Sequence, residues 1–104
     1  MIEIRQTEHF AQWFAKLRDN HAKRRIQARI DRLQQGNPGD VKPIGKGISE
    51  LRVDYGPGYR VYFIQQGSTL IVLLAGGDKS TQAQDIHAAQ DLARQLHEGG
   101  KHGT

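Results

Sequence analysis

The chain has 104 residues, of which 37% are apolar and 25% charged, with a net charge of +4. That length builds one hydrophobic core and one domain, not two. The absence of cysteine excludes a disulfide framework, a thiolate metal site and a cysteine nucleophile, and no apolar run approaches the roughly 20 residues of a membrane span.

The opening "MIEIRQTEHF" lacks the basic-then-apolar pattern of a secretory signal, so a cytoplasmic protein is expected. In "MIEIRQ", Ile2 and Ile4 alternate with Glu3 and Arg5, the period of a half-buried strand. Thr7 then offers a helix cap, with Glu8 favourably placed in the first turn. Phe10, Trp13, Phe14 and Leu17 fall on one helical stripe, which reads as core. Asp19 and Asn20 break that pattern. A second helix follows with Ala22, Ile26, Ile30 and Leu33 inside, ending at Gly36.

The charge is concentrated here. Lys16, Arg18, Lys23, Arg24, Arg25, Arg29 and Arg32 face only Asp19 and Asp31 in that stretch. Arg25, Arg29 and Arg32, four and three residues apart, line one outward ridge. Such a surface is either an ordinary solvated helix face or a site for a polyanion or acidic partner.

"GNPGD" at 36–40 is a turn cluster, and "VKPIGKG" at 41–47 reads as an extended basic loop carrying Lys42 and Lys46. "ELRVDYGPGYRVYF" at 50–63 reads as a β-hairpin closed by Gly56-Pro57-Gly58. Alternation favours pairing Asp54 with Arg60, Val53 with Val61, Arg52 with Tyr62 and Leu51 with Phe63. Leu51, Val53, Val61 and Phe63 then fill one face, and Arg52, Asp54, Arg60 and Tyr62 the other. "TLIVLLA" at 69–75 is apolar on both faces, as a central strand should be. Asp78 or Ser80 can cap a last helix whose inner stripe is Ala83, Ile86, Ala89, Ala93 and Leu96. The expected fold is α+β: a small, mostly antiparallel sheet, a helical hairpin packed on one face and a C-terminal helix. One domain is expected over 1–96, and a flexible tail over 97–104.

Guanidinium forks at Arg52 and Arg60, over a floor made partly dry by Ile71 or Leu73 beside Tyr62, suit a phosphate. Lys79 arrives where the last helix starts, with Gln82 and Asp85 following at spacings of three. Alternatively, Arg52 and Arg60 pair with Glu50 and Asp54 as ion pairs of the fold. The five histidines (His9, His21, His87, His97 and His102) show no ligand spacing, so neither a metal nor another cofactor is expected.

Taken in order, "FAQWFAKLRD", "ARIDRLQQGNPGDVKPIGKGISELR", "GYRVYF" and "GGDKSTQ" resemble the RelE/ParE superfamily of type II toxin–antitoxin toxins, nearest its HigB-like branch of addiction module killer proteins. The resemblance implies a RelE-like toxin, neutralised by a cognate antitoxin. It implies metal-independent cleavage of mRNA on the ribosome, or alternatively the ParE type of action, poisoning DNA gyrase without cutting. It assigns Arg52, Arg60 and Lys79 to a scissile phosphate attacked by the ribose 2′-hydroxyl, with Asp85, His87 or Tyr62 moving protons. Lys23, Arg25, Arg29, Arg32, Lys42, Lys46 and Gln82 would contact RNA. The catalytic tyrosine that some relatives carry in the last helix has no counterpart in "TQAQDIHAA". Expected partners are the antitoxin, the ribosome and mRNA, with operator DNA reached only through the toxin–antitoxin complex and no membrane. A nonenzymatic nucleic-acid-binding module is the third reading, with Tyr55, Tyr59 and Tyr62 as its candidate stacking aromatics.

Overall fold

Thr7 turns the chain from strand to helix. Its hydroxyl accepts from the Phe10 amide, which the first turn leaves unpaired, and donates to the Leu74 carbonyl of the sheet. Strand β1 (Glu3–Gln6) precedes it and helix α1 (Glu8–Lys16) follows. Nine residues are too few for a helix to persist alone. α1 is held by its aromatic stripe: Phe10 is buried, Trp13 and Phe14 lie against it, and the three rings are in mutual contact through Phe10. Asp19 caps helix α2 (Asn20–Gln34) by accepting from the His21 and Ala22 amides. Ala22, Ile26, Ile30 and Leu33 are buried, and Gly36, at a positive φ of 83°, takes the chain out of the helix.

The structure is a computed structural model; it describes residues 2–102, with side-chain surroundings through Glu98. Residues 41–47, expected as a loop, form strand β2 (Val41–Gly45) and a tight turn. Pro43 is compatible with a strand there because β2 is an edge. Strands β3 (Ile48–Val53), β4 (Tyr59–Gln66) and β5 (Leu70–Gly77) follow. The sheet order is β1-β5-β4-β3-β2, antiparallel except for the parallel β1–β5 pair. The fold class is therefore α+β with a mixed five-stranded sheet.

The hairpin register is offset by two residues from the expected one: Arg52 lies opposite Arg60, Leu51 opposite Val61 and Glu50 opposite Tyr62. A two-residue offset preserves the faces, since side chains alternate with a period of two. Leu51, Val53, Val61 and Phe63 share a core with Phe10, Ile26, Ile30, Leu33, Ile71 and Leu73. A short 3₁₀ turn (Lys79–Thr81), capped by Asp78, leads into helix α3 (Gln82–His102), which covers the opposite face.

That opposite face is where the expectation needs most correction. It is not open to solvent: Tyr62, Ile48, Val72, Leu74 and Ala75 form a second core with Ala89, flanked by Ile86, Leu92 and Ala93 of α3. The strand neighbour of Tyr62 is Ala75, not Ile71 or Leu73, which point to the other core. The α3 stripe is also rotated from expectation. Ala83 is exposed, Leu96 is at the margin with 36% exposure, and Leu92 joins the packed side. α3 continues past Leu96, through most of the segment expected as a tail; Gly103 and Thr104 lie outside the described residues.

Candidate functional site

Glu50 organises the hairpin. It is the buried acidic residue of the core, with a side chain 1% exposed. A lone carboxylate there would be costly, so its oxygens must find donors. Arg60 Nη1 donates to Oε1 at 2.9 Å, Arg52 Nε donates to the same oxygen at 3.1 Å, and Gln82 Nε2 donates to Oε2 at 2.8 Å. Burial pushes the carboxyl up, but the hydrogen bonds from Gln82 and Arg52 and the charge of Arg60 outweigh it, leaving Glu50 below its ordinary value.

Three candidates from the sequence thus meet at one carboxylate. The Arg60 side chain is 14% exposed and that of Arg52 37%, so Arg60 belongs largely to the interior. Both border a cleft of about 290 Å³ with Lys79, Asp40, Asp54, Gly58 and Tyr59. Lys79 is exposed, and its amide lies over the hairpin turn, near the Pro57 carbonyl at 3.4 Å. Three cations there face three carboxylates (Glu50, Asp40 and Asp54), so the cleft has no formal excess of positive charge.

The other candidates of that group are separated by function of place. Tyr62 is fully buried, and burial first, then the charges of Glu50 and Asp85, raise its phenol far above the ordinary value. Such a phenol keeps its proton at neutral pH. Asp85 is half-buried; burial raises its carboxyl, opposed by a hydrogen bond donated by Thr81, with the charge of Asp78 adding to the rise. His87 is exposed on α3.

The cationic stretch from the end of α1 through α2 is different. None of the cations at positions 16, 18, 23, 24, 25, 29 and 32 enters an ion pair among the described residues, where the pairs are Arg5–Glu3, Arg52–Glu50, Arg60–Glu50 and Arg94–Asp91. Asp31, the nearest acid on α2, instead accepts from Gln27 at 3.0 Å. Arg24, Arg25 and Arg32 are exposed. Arg29 does not share their ridge as expected: its guanidinium turns inward, donating to the Arg52 carbonyl and, at 2.8 Å, to the Pro38 carbonyl. It ties α2 to β3 and to the turn at 36–40, and no carboxylate pairs with it among the described residues. Lys23 bends back, its Nζ 3.2 Å from the Ala15 carbonyl and 5.9 Å from the Phe14 ring centre. Lys42 lies exposed on β2, and Lys46 is exposed in the following turn at a positive φ of 57°.

The sequence reading gave Asp40 and His21 no part in a site, and it placed Arg24 only within the basic stretch as a whole, not among the residues contacting RNA. Glu50 had a signal available, because a residue two before Arg52 must share its strand face. Asp40 had none, since only the folded turn brings it to the cleft. Among the described residues, no group of three or more histidine, aspartate or glutamate side chains is placed to hold a metal ion. No helix there is long and apolar enough to cross a membrane.

Comparison with known proteins overturns the resemblance drawn from the motifs. The family that matches, over residues 12–98, is described as phage derived protein Gp49-like (DUF891), not as RelE/ParE or its HigB-like branch. A Haemophilus influenzae relative named "Uncharacterized protein" is 53% identical over 95 residues, covering 91% of this chain and 96% of its own length. Neither description carries a toxin identity, a reaction or a gyrase target. The toxin reading, the ribosome-dependent endoribonuclease and the gyrase poison are therefore withdrawn. The motifs misled because each has a sufficient role in the fold: "ELR" and "GYR" supply the partners of Glu50, and "GGDKSTQ" supplies the Asp78 cap and Gln82.

Proposed function

The chain belongs to the phage-derived Gp49-like family, and from the surface that its fold builds we propose that it binds nucleic acid along the phosphate backbone, through the outer face of α2. The carrying observation is the run of seven cations from Lys16 to Arg32, without a carboxylate partner for any of them among the described residues. Folded proteins commonly neutralise surface arginines with nearby acids; here the two acids within the run are otherwise engaged, and Asp54, which borders a cleft with Arg25, Arg29 and Arg32, pairs with none of them among the described residues. Asp19 caps α2 and accepts from the Tyr55 hydroxyl, and Asp31 bonds Gln27. An uncompensated cationic stripe attracts a polyanion and gains entropy by releasing its counterions.

The cleft at Arg52, Arg60 and Lys79 supports the reading less strongly, because its own carboxylates offset those cations. Lys42 and Lys46 extend positive charge along β2 and its turn, as secondary contacts. The side chains at the centre of the site are Arg24, Arg25 and Arg32, exposed on a helix whose buried face holds it to the sheet. Arg29, bonded to two backbone carbonyls, is a brace for that helix rather than a free hand.

Fluorescence anisotropy of labelled oligonucleotides across a salt series tests this. The logarithm of the binding constant should fall linearly with the logarithm of salt, with a slope of roughly 0.7–0.9 for each phosphate neutralised. Replacing Arg24, Arg25 and Arg32 together by alanine should make that slope shallower by about 1 per arginine. The melting temperature should change little, since exposed residues without ion pairs are being removed. Absence of binding at low salt, or a wild-type slope in the folded triple variant, would sink the proposal.

A further inference from the structure

Tyr55 stands in the turn after β3, yet it is fixed by the first turns of α2. Its hydroxyl donates to Asp19 Oδ2 at 3.1 Å, the same carboxylate that caps the helix. The His21 ring lies 5.4 Å from its ring centre at an interplanar angle of 31°, and the Arg25 guanidinium lies 5.3 Å from that centre. Arg24 Nη2 approaches His21 Nδ1 at 3.4 Å. His21, Arg24 and Arg25 are exposed, whereas Tyr55 is half-buried. The arrangement is a short tilted cluster of flat groups at the surface, flanked by two guanidinium groups that pair with no carboxylate among the described residues.

Resting on the α2 reading above, we infer that the His21–Tyr55 stack receives an unpaired base, so that this face takes single-stranded nucleic acid in preference to duplex. Flat aromatic and guanidinium groups beside backbone cations are the two elements that single-strand binding combines. A duplex presents phosphates to Arg24, Arg25 and Arg32 but keeps its bases stacked inside, so it gains nothing from His21. A single strand gains both. Asp19 does not undo this, because its carboxylate is committed to the α2 amides and the Tyr55 hydroxyl. The aromatics weighed from sequence divide accordingly. Tyr62 is buried, Tyr59 is engaged edge-on by Trp13 at 6.3 Å, and the Tyr55 corner with exposed His21 remains.

The test compares a single-stranded RNA with a duplex of the same length and with an oligomer carrying abasic sites, by anisotropy over a salt series. The single strand should bind more tightly than the duplex at every salt concentration. His21→Ala should weaken single-strand binding by roughly 5- to 150-fold, the loss of one stacked base, with the salt slope unchanged. Duplex binding should not move, and His21→Phe should restore the single-strand preference. Equal binding of duplex and single strand, or a folded His21→Ala variant with undiminished single-strand affinity, would overturn this inference and leave backbone binding by α2 standing. If the wild-type protein binds none of the three oligomers at low salt, the α2 reading falls and this inference with it.

Discussion

Glu50→Ala should destabilise the protein by about 3–5 kcal/mol, because it leaves Arg60 without its counter-charge in a largely buried position. The partly exposed Arg52 can turn to water and should contribute less to that loss. Chemical denaturation with the midpoint followed by circular dichroism measures it. The same carboxylate makes stability depend on pH. Its folded value lies below the unfolded one of about 4.5. The stabilisation it adds is therefore complete above the unfolded value and is lost as pH falls through the folded value. An acid-side loss of stability should flatten in Glu50→Gln, which has no carboxyl to titrate. An alanine variant as stable as the parent would show that the hairpin does not depend on Glu50.

The second large effect is expected in α1. Phe10→Ala should cost about 3–5 kcal/mol, since it removes a ring that is 1% exposed and leaves space that its neighbours fill only in part. Trp13 and Phe14 both meet that ring, at centroid separations of 5.7 and 5.9 Å, so their packing is disturbed as well. For a domain of this size each kcal/mol lowers the melting temperature by roughly 4–8 °C, so the variant should melt more than about 10 °C lower. A shift of only a degree or two would mean that α1 contributes little to the core. Phe10 lies among apolar neighbours, so the change should appear without the pH dependence that accompanies Glu50.

Periodicity and capping chemistry made much of the fold legible. Ile2 and Ile4, the Phe10 stripe, the Thr7 cap, the break at Asp19 and Asn20, Gly36 and the doubly apolar run at 69–75 are local signals, and each is read from a few adjacent residues. β2 was hidden by Pro43, a residue that ordinarily argues against a strand and is tolerated because nothing pairs on its outer side. The covering of the Glu50–Arg60–Tyr62 face by α3 was also hidden. Alternation says that two faces exist, but not whether a distant helix will lie on the polar one. The candidate site divides in the same way. The charge excess from Lys16 to Arg32 is visible in composition, while the inward turn of Arg29 and the Asp19–Tyr55–His21 contacts join residues up to 36 positions apart. Short motifs around Arg52 and Arg60 were the least reliable guide, because a buried ion-pair cluster and a phosphate site call for the same residue types.

The parallel pairing of β1 with β5 has a consequence for how the protein is made. Ile4 lies beside Ile71 and Gln6 beside Leu73, so the first strand must wait for a partner synthesised 67 residues later. By contrast, β2 to β5 form a run of neighbours that can close in chain order through short turns. Contacts distant along the chain carry the larger entropic cost and slow the search for the native state. On an emerging chain, Ile4 lacks its strand neighbour until residue 71 is free, and the Phe10 stripe has only the α2 part of its core until then. The hairpins can form first, and the N-terminal strand then completes the sheet at its far edge.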